Sequence, residues 1–136
     1  MRKFFLASVL AMPLAGAAFG QGCALTGGTS APEVEAFNQM VMDQKFDDFA
    51  AAMEARANMD VNGAMKSVAE AYATGFSSCT TLAQRQDTGG LTQQVVMFRS
   101  EVGPLFIYWL YAGVGAEFTL LQFKMDSDLD VLENLR

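Results

Sequence analysis

Histidine is absent from the 136 residues of this chain. That removes the commonest general base, the commonest neutral metal ligand and the usual partner of a catalytic serine or cysteine. Positive charge is also scarce: nine Lys and Arg stand against fifteen Asp and Glu, for a formal charge of −6. An acidic chain with pI near 4.4 offers no electrostatic footprint for a phosphate backbone, so nucleic acid is excluded as a partner. Long apolar runs are few. Val102 to Ala116 carries no charge, but it is shorter than the ~18 residues a membrane span needs and is broken by Gly103, Pro104, Gly113 and Gly115. The 51% apolar and 11% aromatic content excludes a disordered chain, and the length suits one compact domain.

Residues 1–20 have the three parts of a cleaved secretory signal. Arg2 and Lys3 form a basic end, Phe4 to Ala18 an uncharged and mostly apolar run, and Ala18 and Gly20 the small positions before a cut at Gln21. The apolar run is short for a bilayer core of ~30 Å. The expected product is exported, periplasmic or secreted, with no transmembrane segment. Removal of Arg2 and Lys3 leaves seven basic residues against the fifteen acidic ones, a charge of −8.

Cys23 and Cys79 are the two cysteines, and export leads to an oxidising compartment, so a Cys23–Cys79 disulfide is expected. In the chain-entropy picture a bridge of that span contributes roughly 4 kcal/mol. It would tie down a Gly/Ser/Thr-rich linker over 21–30. Lipidation of Cys23 is the alternative, but Gly20 stands where the lipoprotein box carries leucine.

The remainder, 31–136, is expected to form a single α+β domain. Thr29 to Glu33 marks a helix start, with a capping hydroxyl, Pro32 in the first turn and acidic residues at the positive end of the macrodipole. Val34, Phe37 and Val41 give this helix its apolar stripe. Phe46, Phe49, Met53 and Ala57 give a second, and Met65, Val68, Tyr72 and Phe76 a third, capped by Asp60 or Asn62 and ending near Gly75. The period then changes to two. Strands are expected over 78–85, 91–99, 105–111 and 118–125, separated by turns at Asp87–Gly90, Glu101–Pro104 and Gly113–Gly115. Leu129 to Leu135 follows as a short helix or extended piece. The fold class is N-terminal helices packed on a four-stranded antiparallel meander.

Asn38 to Met53, with its polar break between two helices, and Leu120 to Asp126 resemble segments of the NTF2-like superfamily, the cystatin-like α+β cone. The resemblance implies a cone-shaped pocket between sheet and helices. It also implies, as one activity class, a hydrolase or isomerase that would here use carboxylate and tyrosine. Enzymatic members commonly carry histidine and aspartate in the cone, and this chain has no histidine. Residues 61–76 also look helical where that superfamily has an early hairpin.

No catalytic constellation emerges from the residues themselves. The methionines fit core packing, so no cofactor is implied. The Asp126–Asp130 carboxylates lack the glycine and terminal glutamate of an EF-hand loop and suit a helix start, so no metal site is assigned. Tyr108, Trp109 and Tyr111 are the candidate pocket aromatics, with Arg85, Gln94 and Gln122 as polar residues that strands can direct inward. Arg85 or Arg99 would provide an anion handle there. The expected function is an exported, non-catalytic domain that binds a small molecule or a protein. A structural role, with the sheet face forming a homodimer, is the other class.

Overall fold

The computed structural model describes Cys23 and residues 30–128. The expected signal, most of the linker and the segment after Asp128 lie outside the described residues. Helices α1 (Pro32–Met42), α2 (Phe46–Ala57) and α3 (Asn62–Ala71) precede strands β1 (Ser78–Asp87), β2 (Leu91–Arg99), β3 (Leu105–Ala112) and β4 (Thr119–Asp126). The strands form one antiparallel sheet in the order β1-β2-β3-β4. The fold is α+β with the helices N-terminal to the sheet. No described helix is long and apolar enough to cross a membrane.

The start of α1 departs from expectation. Ala31, not a hydroxyl residue, is its N-cap, and no side chain caps the helix. Pro32, Glu33 and Glu35 carry the start instead, through a preset φ and charge near the helix dipole. Asn58 closes α2 in the left-handed conformation, which an asparagine tolerates. Helix α3 stops at Ala71, so Phe76 lies beyond it, and Gly75 takes φ +79° in the connection to β1.

Each edge strand contains a bulge. Register shifts between Thr81 and Ala83 in β1, and opposite Leu110 and Tyr111 in β4, so Leu82 and Leu121 are the inserted residues. Both leucines are exposed, and both interrupt an edge that would otherwise invite pairing with another chain. The bulges also reverse the side-chain alternation. Cys79 and Thr81 share the helix-facing side with Val96 and Phe98, but beyond Leu82 that side carries Gln84 and Gln86. In β4 the bulge lets Leu120 and Phe123 both face the helices, opposite Tyr111 and Trp109.

Phe37 and Phe49 from the helices meet Trp109 and Phe123 from the sheet at the centre of the interface. Trp109 stacks on Phe37 at 5.5 Å and 15° and lies 5.0 Å from Phe123. Phe49 closes the cluster, 6.2 Å from Trp109 and 5.8 Å from Phe123. Burial of side chains such as Phe49, Phe98 and Met53 stabilises the fold by roughly 1.5–3 kcal/mol each.

Candidate functional site

The sheet divides the six candidate residues between its faces. Gln94, Trp109 and Tyr111 face the helices, whereas Arg85, Tyr108 and Gln122 belong to the opposite face through the register of Gln93, Lys124 and Leu110. They do not line one pocket. Trp109 is fully buried among the rings, and its indole Nε1 donates to Asn38 Oδ1 at 3.1 Å.

Gln94 is also fully buried, at the centre of a polar network. Its Oε1 accepts from Ser30 Oγ at 2.7 Å and from Tyr111 OH at 3.3 Å, while its Nε2 donates to Thr81 Oγ1 at 3.2 Å. Thr81 Oγ1 donates in turn to the carbonyl of Cys23, and the Ala31 amide donates to Tyr111 OH at 3.4 Å. Cys23 and Cys79 are joined as a disulfide with their Cα atoms 5.1 Å apart. Ser30, one of the two hydroxyl residues in the expected helix start, therefore spends its hydroxyl on the sheet. The network fastens the chain before α1 to β1, β2 and β3.

On the other face, Arg85 Nε donates to Asp87 Oδ1 at 2.6 Å, and Gln93 Nε2 donates to Asp87 Oδ2 at 2.6 Å. Tyr108 OH donates to Gln93 Oε1 at 3.3 Å, which links Arg85 to Tyr108 through two intermediaries. The hydrogen bonds from Arg85 and Gln93 hold the Asp87 carboxyl below its ordinary range. Burial, and next the charge of Asp87, push the Tyr108 phenol up. The Arg85 guanidinium is thus committed to a carboxylate of its own strand. Gln122 is half-buried on β4.

With its centre filled by rings, the helix–sheet interface opens at its two ends. Leu105 and Tyr111 mark these ends on β3, six residues and so about 20 Å apart. At the Tyr111 end, a cleft of about 240 Å³ lies between Ser30, Gln86, Thr92, Tyr111 and Gly113. At the Leu105 end, an apolar groove of about 320 Å³ runs between α3 and the end of β4. Ala64, Ser67, Val68 and Ala71 form its helical wall, at the three- and four-residue spacing that puts side chains on one face. Tyr72, Leu105 and Met125 complete the apolar lining, and Asp126 and Ser127 belong to it at the end of β4.

Tyr72 fixes the geometry of this groove. Its hydroxyl donates to the Pro104 carbonyl at 2.9 Å, which ties the end of α3 to the turn before β3. Burial raises the phenol above its ordinary value, and the negative charge of Asp126 raises it further. Asp126 Oδ1 accepts the Asp128 amide at 3.1 Å, which turns the chain at the strand end. Asp126 was legible as an acidic turn residue, but the helical wall was not. Small residues at positions 64, 67 and 71 have the same pattern as a solvated helix face. Among the described residues, no group of three or more Cys, Asp or Glu is placed to hold a metal ion. No protein family, no curated protein and no solved structure matches this chain.

Proposed function

We propose that this protein is an exported, non-catalytic binding domain, and that its contact surface is the groove between α3 and β4. One observation carries this. Among the described residues, the helix–sheet interface is filled by Phe37, Phe49, Trp109 and Phe123, and a largely apolar opening lies against Ala64, Val68, Ala71, Leu105 and Met125. A concave, largely apolar lining with a few polar groups is the usual form of a ligand site. The tyrosines expected to serve an enzyme are engaged elsewhere: Tyr111 OH donates to Gln94 and Tyr108 OH to Gln93. Neither accompanies a pair of carboxylates, which supports binding over hydrolysis or isomerisation. The basic and apolar parts of residues 1–20, together with the disulfide, support export to an oxidising compartment.

The test is recovery of the protein from the exported fraction, with mass spectrometry of what accompanies it. A bound molecule that is lost from the Ala64→Leu/Ala71→Leu double variant supports the groove. Both alanines are exposed, so the larger side chains fill the groove without entering the core. A molecule retained equally by that variant places binding elsewhere.

A further inference from the structure

We propose that residues 129–136 fold back over the outer face of the sheet, opposite the helices, as an amphipathic strap on Val95, Phe106 and Tyr108. These three side chains form a second apolar cluster, with Met97 and Leu110 packed against it. Among the described residues this cluster is built from β2 and β3 alone, whereas α1, α2 and α3 pack on the other face. An antiparallel sheet that turns one face to water carries polar residues there. Here Val95 is 0% exposed, Tyr108 2% and Phe106 4%, the values of a covered face.

Position, length and charge select the segment. The register sets Lys124 opposite Tyr108 and Asp126 opposite Phe106, so β4 ends beside the cluster and on its face. As a helix, 129–136 reaches about 12 Å, and with strands ~4.8 Å apart that length crosses β3 to Val95 on β2. Leu129, Val131, Leu132 and Leu135 then share one side, with Asp130 and Glu133 on the other. The outer face is the basic one in an acidic chain: Arg85, Arg99 and Lys124 stand on it against Asp87 and Asp126. An acidic segment with an apolar stripe meets both features. Residues 1–20 carry Arg2 and Lys3 and no acid, so they match the apolar cluster but not the charge.

Methyl NOEs in the exported protein test the placement. The Leu132 and Leu135 methyls are expected to show NOEs to the Val95 and Met97 methyls and to the Tyr108 ring. In Leu132→Asp/Leu135→Asp these NOEs vanish, and hydroxyl-radical oxidation of the half-buried Met97 rises severalfold. Met65, buried on the helix side, keeps its protection in the same variant and so reports that the domain is folded. The NOEs of the parent decide the placement even if the variant unfolds. Lys124→Glu, which makes the outer face acidic, is expected to raise Met97 oxidation as well, and no change there overturns the part assigned to charge. NOEs to Val95 from retained residues 1–20, or between chains in a mixed-labelled sample, overturn the strap in favour of the leader or a second copy. Unchanged Met97 oxidation in the folded double variant overturns it too.

Discussion

Gln94 Oε1 accepts hydrogen bonds from both Ser30 and Tyr111, at 2.7 and 3.3 Å, and thereby joins the chain before α1 to the middle of the sheet. The amide has no solvent to fall back on, because Gln94 is fully buried. Replacement by leucine leaves the hydroxyls of Ser30, Tyr111 and Thr81 without this partner. Gln94→Leu is therefore expected to cost about 1–3 kcal/mol, and Tyr111→Phe about 1 kcal/mol. Urea unfolding measures both. A Gln94→Leu protein as stable as the parent would show that the network contributes nothing.

The Cys23–Cys79 bridge fastens the same chain segment to β1. Its entropic contribution, for residues 56 apart in sequence, is roughly 4 kcal/mol. Cys23→Ser/Cys79→Ser is expected to lose most of that stability, as is the parent protein under reductant. Intact mass after alkylation checks the chemistry: no thiol reacts before reduction and two react after it. Two reactive thiols before reduction would contradict the bridge.

Asp87 carries a pH prediction. Its folded carboxyl lies below the ordinary value of 3.8, chiefly because of the Arg85 hydrogen bond and then that of Gln93. A depressed carboxylate favours the fold above its unfolded pKa, and the contribution is lost as pH falls through the lower folded value. Arg85→Gln is expected to move the Asp87 midpoint upward in a carbon-detected NMR titration. An unchanged midpoint would remove Arg85 as the principal cause.

Gly113 and Gly115 separate backbone conformation from crowding. Both have positive φ, +69° and +61°, but a Cβ on Gly113 would sit 2.3 Å from the Glu117 carbonyl oxygen. A Cβ on Gly115 would meet nothing within 4 Å. Gly115→Ala is expected to cost about 1 kcal/mol, the left-handed penalty alone. Gly113→Ala adds a backbone collision and is expected to cost about 3 kcal/mol. Thermal unfolding of the two variants should rank them in that order, and equal losses would contradict the crowding.

Much of the fold was legible because period and turn chemistry agree. Val34, Phe37 and Val41, or Phe46, Phe49 and Met53, repeat at helical spacing, and Asp87 to Gly90 separates two runs of period two. The bulges were not legible. Nothing in Thr81-Leu82-Ala83 marks an inserted residue, yet one there moves Arg85 away from the face of Cys79 and Thr81. A slip of one residue exchanges a strand's faces, which accounts for Arg85; Tyr108 and Trp109 came apart by alternation alone, being neighbours on the unbroken strand β3. The capping hydroxyl expected at the start of α1 was absent for a related reason: Ser30 bonds Gln94, 64 residues away and outside the range of local pattern. The groove was hidden because its helical wall consists of small residues whose neighbours across the gap belong to the distant strands β3 and β4.

The groove between α3 and β4 is the proposed contact surface. Methyl-resolved NMR during titration with 1-octanol, an uncharged apolar probe, tests it most directly. The methyl signals of Val68, Leu105 and Met125 should shift together and saturate together, while Val114 beside the Tyr111-end cleft stays fixed. Shifts confined to Val114 and its neighbours, or no saturable shift at all, would contradict it.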